Sequence, residues 1–360
     1  MTRGTVRERI GRLWRERLSP LERILWSSLA PLSLIYGAAV KVRGLWWRLM
    51  AVRAPVAVVS VGNLTVGGSG KTPFTLFLAN LLRSQGYRVA IVSRGYGRNT
   101  DRALLVSAGG QIQVGPEESG DEPLMLAHFF AGSIAVARRR IDAIKLLLAR
   151  EVLDAILLDD GFQHLRLRRD LDIVLVRHPE LPNQWTLPAG PLREPRSALR
   201  RAGAIVRVGV GGFGSAHDVQ SLWAELRPGG FISSSEGVWR CAPLVLASRR
   251  VLAVCGIARP ESFAMMLEAQ GATITELLQF SDHHTYGERD WRVIHAAART
   301  ADFVITTEKD LVKLERLSPA LSALYALHLE ATMNERDTAR LTALVCSRID
   351  QNRAARDSQT

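Results

Sequence analysis

At 360 residues, with 47% hydrophobic and 23% charged residues, the chain is globular and long enough for one large or two ordinary domains with a full core. A net charge of +12 points to an anionic partner. With no zinc-finger spacing and no aromatic RNA-binding signature, nucleic acid ranks behind an acidic membrane surface or a phosphorylated substrate. The three cysteines, Cys241, Cys255 and Cys346, are far apart and form no metal or redox motif, which fits reduced thiols in the cytosol.

Residues 1–23 carry seven Arg against three Glu, and residues 24–40 then carry no charge at all. Lys41, Arg43, Trp46, Trp47 and Arg48 follow. The basic leader is too long for a signal peptide, and 17 apolar residues interrupted by Pro31 are marginal for a spanning helix. An apolar helix lying in a membrane interface fits better, with tryptophans at headgroup level and arginines on anionic lipid. A helical hairpin packed on the core is the other reading of residues 1–50.

From Pro55 the pattern alternates strand and helix. Residues 56–61 read as a buried strand, and residues 74–84 as a helix. Between them lies Thr65-Val66-Gly67-Gly68-Ser69-Gly70-Lys71-Thr72. Strand, glycine-rich turn and helix are the context of a phosphate-binding loop, in which backbone N–H groups and a helix N-terminus converge on phosphate oxygens. Lys71 would reach the β- and γ-phosphates, and the Thr72 hydroxyl would hold Mg²⁺. The strict pattern wants glycine six residues before Lys71, where this chain has Thr65. Strands follow at 88–93, 133–137, 155–158, 171–176 and 204–208, with helices at 122–130, 141–151 and 197–201. The fold class is therefore α/β, a P-loop-type parallel sheet covered by helices, with its core at 51–210. Residues 211–249, rich in Gly and Ser, read as an irregular connection. A second, smaller α/β lobe spans 250–345, with strands at 251–255, 273–278 and 303–306 and helices at 260–270 and 288–299. The tail, 346–360, reads as disordered at its end.

The carboxyl ends of parallel strands share one edge, where ligands bind. Asp159, closing the strand at 155–158, would lie near Thr72 and help hold Mg²⁺, with Asp160 direct or one shell out. Asp121-Glu122 precedes a helix and reads alone as a helix cap. Of Asp282-His283-His284, one histidine at most can face a given point, to orient a carboxylate or hydroxyl; a polar loop is the bland alternative. Arg193, in a proline-stiffened loop, is either a charge-neutralising group for phosphoryl transfer or a surface arginine. Thr306 to Asp310 either touches base or substrate or caps the helix that follows.

Taken together, the motifs resemble the tetraacyldisaccharide 4′-kinase family of lipid A biosynthesis. They include Gly62-Asn63-Leu64-Thr65-Val66-Gly67-Gly68-Ser69-Gly70-Lys71-Thr72-Pro73, Ser93-Arg94-Gly95-Tyr96-Gly97, Gly120-Asp121-Glu122-Pro123 and Leu158-Asp159-Asp160-Gly161-Phe162-Gln163-His164. Pro188-Ala189-Gly190-Pro191-Leu192-Arg193-Glu194, Cys255-Gly256-Ile257-Ala258-Arg259-Pro260, Asp282-His283 and Thr307-Glu308-Lys309-Asp310 complete the set, in family order. Thr65 matches the family's own form of the loop. The resemblance implies transfer of the γ-phosphoryl group of ATP, with Mg²⁺, to the 4′-hydroxyl of a tetraacyldisaccharide 1-phosphate, giving lipid IVA. It implies Asp121 as general base with His283 as its partner, and Glu122 beside Asp159 and Asp160 on the metal side. It also implies Arg94, Gln163 and Arg193 on the substrate or phosphates. A glycolipid substrate implies work at a membrane surface, the cytoplasmic face of the inner membrane of a Gram-negative bacterium.

Overall fold

The computed structural model describes residues 28–181, 183–210, 221–235, 238–282, 284–317 and 323–358. Helix α1 (Ala30–Leu49) opens this part of the chain, and Pro31 sits in its first turn, where a missing N–H costs nothing. Strand β1 (Ala57–Asn63) is buried along its whole length, as a central parallel strand covered on both faces must be. Helix α2 (Lys71–Ser84) and β2 (Val89–Ser93) follow. Next come β3 (Leu104–Ala108), β4 (Gln111–Ile112), the single turn α3 (Pro116–Ser119) and α4 (Asp121–Phe129). Then β5 (Ile134–Val136), α5 (Arg140–Leu148), β6 (Ala155–Asp159), β7 (Leu171–Arg177), a 3₁₀ turn (Arg196–Arg201) and β8 (Ala204–Val210) complete the first half.

The second half holds β9 (Leu222–Ser235), β10 (Val238–Ala242), β11 (Arg250–Cys255), α6 (Pro260–Ala269), β12 (Thr273–Gln279) and α7 (Glu288–Ala298). It ends with β13 (Phe303–Thr307), α8 (Glu308–Leu314), β14 (Leu324–Thr332) and α9 (Glu335–Asp357). All strands join one sheet in the order β12-β11-β13-β14-β9-β8-β7-β1-β6-β2-β5-β3-β4, with β10 beside β9. One face of the first half packs Phe74 and Leu78 of α2 with Leu341, Val345 and Ile349 of α9 over β1. The other face packs Ile144 and Leu147 of α5 over Val56 and Val58. Phe263 of α6 and Ile294 of α7 cover opposite faces of the second half.

Two expectations are corrected. Residues 211–249 are not simply an irregular connection: β9 and β10 lie within them. Gly229 and Gly230 look like strand breakers, but they sit where the ladder with β14 shifts register, between His328 and Leu329, and Ser233 and Ser234 pair with β10. The tail is also helical as far as Asp357, where α9 ends, and residues 359–360 lie outside the described residues. Asn334 caps its start by accepting from the Asp337 N–H at 2.8 Å, and Asn352 donates to Asp170 at 3.0 Å near its end. Since α9 packs on the first half, the second lobe ends before it.

The register of β9 sets the shape of the cleft. Leu222–Leu226 pairs in parallel with the last strand of the first half, from Val206↔Leu222 to Val210↔Leu226. Beyond Leu226 the strand continues past that edge and pairs antiparallel with β14, up to Ala326↔Ile232. Strands β11, β12 and β13 run parallel to β14. They therefore point back toward the first half, and the carboxyl ends of the two parallel blocks face each other.

Candidate active site

The phosphate loop fills the turn from β1 to α2. Gly67 and Gly70 adopt φ of 97° and 75°, in the left-handed region that favours glycine. A Cβ on Gly70 would also lie 2.6 Å from Leu226 of β9, so the second reason for glycine is close packing. Thr65 needs no such freedom, because it pairs as a β-bridge with Leu192 and its hydroxyl accepts from Asn63 Nδ2 at 3.1 Å. The Val66 N–H donates to Pro191 O at 2.9 Å and the Arg193 N–H to Leu64 O at 2.7 Å, which ties the loop to the proline-stiffened segment. Lys71 Nζ lies 3.4 Å from Asn63 Oδ1 and 3.7 Å from Asp160 Oδ1, and burial pulls its pKa below the ordinary lysine value. The Ser69 hydroxyl is buried without a partner.

Asp159 and Asp160 meet the loop at the end of β6. Asp159 is buried and accepts from Thr75 Oγ1 at 3.2 Å. Burial first, then the charges of Glu122 and Asp160, push its pKa up to about 7. Asp160 takes φ of 51°, an uncommon backbone for a non-glycine residue, which turns its carboxylate toward cations. Arg193 Nη1 donates to both its oxygens, at 3.1 and 2.9 Å. Burial opposes ionisation of Asp160, but Lys71 and then Arg193 hold its pKa below the usual carboxylate value.

Asp121 and Glu122 open α4 and face α8 across the cleft. Neither caps the helix, since Gly120 holds that position. Glu122 pairs with Lys309, and Asp121 Oδ2 lies 3.1 Å from Lys313 Nζ. Burial works against both charges of the Glu122–Lys309 pair, yet each partner stabilises the other's ionised form. Thr307 caps α8 by accepting from the Asp310 N–H, which favours the capping reading of that stretch. His283 lies outside the described residues. His284 bonds Asp290 at 3.0 Å and stacks on Phe280. Gln163 donates to Asn63 O at 2.9 Å and keeps a buried Oε1 without a partner. Arg94 is exposed on the loop after β2.

The sequence profile of the tetraacyldisaccharide-1-P 4′-kinase family matches residues 25–349. The chain belongs to that family. A tetraacyldisaccharide 4′-kinase of Geobacter metallireducens is 41% identical over 327 residues, covering 87% of this chain and 96% of the relative. One of Geobacter sulfurreducens is 40% identical over 344 residues, covering 92% and 97%. Among solved structures, LpxK from Aquifex aeolicus in complex with ATP superposes with a TM-score of 0.72 at 31% identity, covering 90% of this chain and 99% of that one.

Against this 4′-kinase family, the local chemistry passes a test of fit for a nucleoside triphosphate. The unpartnered Ser69 hydroxyl, the Lys71 ammonium and the start of α2 supply donors, and space is open around Gly68. Thr72, Asp159, Asp160 and Glu122 would be the groups offered to a magnesium ion, and Glu122 is paired with Lys309. Among the described residues no three His, Cys, Asp or Glu side chains form a metal cluster by themselves.

Three participants were not singled out from sequence. Arg140, at the start of α5, is 5% exposed, with Nε buried and unpartnered. Burial pushes its pKa down to about 10, against the opposing pull of Asp160. Lys309 and Lys313 stand four residues apart on one face of α8. That i,i+4 spacing was the available signal, but it says nothing of the acids it meets.

Proposed function

We propose that this chain transfers the γ-phosphoryl group of ATP to the 4′-hydroxyl of a tetraacyldisaccharide 1-phosphate, giving lipid IVA in lipid A biosynthesis. The observation that supports this reading is the Lys71 phosphate loop beside the Asp159–Asp160 strand end, with Glu122, next to Asp121, close enough to act electrostatically on Lys71 and Asp159. Bound Mg²⁺ would offset charge on the phosphates. Lys71 binds the β- and γ-phosphate oxygens, and Arg193, positioned by Asp160, lies where negative charge develops. Asp121 accepts the proton of the sugar hydroxyl as the new O–P bond forms, with His283 as its partner. Gln163 fixes the end of β1, and Arg94 lines the substrate side. Facing lobes exclude water and so limit hydrolysis. ADP release by purified protein should rise steeply on adding the disaccharide in detergent micelles; hydrolysis at the same rate without lipid would contradict the proposal.

Membrane association belongs to the same proposal. No helix among the described residues is long and apolar enough to cross a membrane. Helix α1 buries its small residues Ser33, Gly37 and Gly44, with Val40, and exposes Leu34, Ile35, Val42, Leu45, Trp46 and Leu49. That is the reverse of a helix built for water, and it suits an apolar face laid into the interface. The helix is coupled to the site: Ser33 Oγ donates to Thr186 O at 2.9 Å, and Tyr36 donates to Arg193 O at 3.2 Å. A bilayer-resident substrate then reaches Arg193 from the helix side. The setting is the cytoplasmic face of the inner membrane, where ATP is available.

A further inference from the structure

Lys313 makes two contacts, one across to the first half and one within the second. Its Nζ lies 3.1 Å from Asp121 Oδ2, at the first turn of α4. It also donates to the backbone carbonyl of His284 at 3.1 Å. Both side chains of the ion pair are largely shielded, at 17% exposure for Lys313 and 27% for Asp121, so the pair is screened less than a surface bridge. An ammonium carries three donors, so it can serve a carboxylate and a carbonyl at once.

The carbonyl that Lys313 holds belongs to a well-braced loop. The Phe280 N–H donates to Cys255 O at 2.8 Å, which anchors the loop to β11. His284 is tied to Asp290 and packed edge-on against the buried ring of Tyr286. Lys313 itself projects from α8, whose Leu311 is buried with Ile232 and Ala326 beside Phe129 of α4. Asp121 stands at the first position of its helix, with Gly120 at the cap before it. A carboxylate so placed has several staggered orientations open to it. The ammonium selects the one that points into the cleft.

We propose that Lys313 is a positioning residue for phosphoryl transfer: it fixes the Asp121 carboxylate and the loop through His284 in one register across the cleft. The inference rests on the kinase reading, with Asp121 as base. A base that must meet one hydroxyl proton gains its rate from placement, and misplacement by about 1 Å costs on the order of 10²-fold. Lys309 does the equivalent for Glu122, one turn earlier.

The test uses the full chain, γ-labelled ATP and tetraacyldisaccharide 1-phosphate in micelles, with Lys313→Met, Lys313→Gln, Lys313→Arg, Asp121→Ala and the double variant Asp121→Ala/Lys313→Met. Lys313→Met should lower kcat by about 10- to 100-fold with KM for ATP within about twofold, and Lys313→Arg should recover much of the loss. The double variant should be no slower than Asp121→Ala alone, since the lysine acts through that carboxylate. Wild-type kcat in Lys313→Met beside an inactive Asp121→Ala would overturn the positioning role and leave the kinase reading intact. A loss carried by KM for ATP, or unfolding of both Lys313→Met and Lys313→Gln in a thermal melt, would also overturn it. Absence of labelled lipid with the wild-type chain would instead sink the kinase reading itself.

Discussion

At the scale of single residues, the site is an arrangement of shielded charges in which Glu122, Asp121 and Asp160 are each ion-paired. Glu122 has Lys309, Asp121 has Lys313, and Asp160 has Arg193 and Lys71. Among the described residues Asp159 accepts from the Thr75 hydroxyl and feels Lys71 without an ion pair, and burial keeps its proton affinity high. It is therefore the acid with most to gain from a cation arriving with the nucleotide. Arg140 is the converse, a buried guanidinium with a free Nε near these acids. Its donors suit an oxygen that gains charge during transfer. Arg140→Met should lower kcat by about 10²-fold or more, the usual cost of losing a preorganised donor to developing charge. Steady-state transfer assays check this, and a kcat within about twofold of wild type would remove Arg140 from the chemistry.

At the scale of elements, α1 is the part whose sequence and structure make sense only with a second solvent. Replacing Trp46 and Leu49 by glutamate alters residues 63% and 76% exposed, so the thermal midpoint should hold while binding to anionic vesicles falls. Co-sedimentation measures it, and unchanged binding would detach α1 from the membrane. The alternating elements from β1 to β8 were legible because each strand is an apolar run buried on both faces and each helix carries a periodic face. The phosphate loop was legible for the same reason, flanked by both. Strand β9 was not, because Gly229 and Gly230 serve a register shift that only the partner strand explains. The Lys309 and Lys313 partners were also hidden, since a helix spacing reveals a face but not what lies opposite. The helix past Gln351 was missed because that stretch is charged and has no apolar period of its own, while α9 is anchored upstream by Leu341, Val345 and Ile349 on the first half of the chain.

At the scale of the whole molecule, one sheet with two opposed blocks turns two sets of strand ends toward a single cleft. The seam beside that cleft is aromatic. His128 of α4 stacks on Trp239 of β10 at 4.2 Å, and Phe129 stacks on His328 of β14 at 4.3 Å. Burial pushes the His128 pKa from 6.5 down to about 4. The folded state thus prefers the neutral ring, and this contribution is intact above pH 6.5 and lost as the pH falls toward 4. His128→Phe keeps an aromatic ring at the stack and removes the titration, so its thermal midpoint should fall less than wild type between those values. Parallel curves for the two proteins would exclude His128 as the cause. Transfer of label from γ-labelled ATP to tetraacyldisaccharide 1-phosphate tests whether this cleft joins a nucleotide site to a sugar-hydroxyl base. Labelled bisphosphate lipid is expected with the wild-type chain and almost none with Asp121→Ala, whose nucleotide affinity should stay near wild type. Nucleotide hydrolysis at full rate with no labelled lipid, or full transfer by Asp121→Ala, would contradict it.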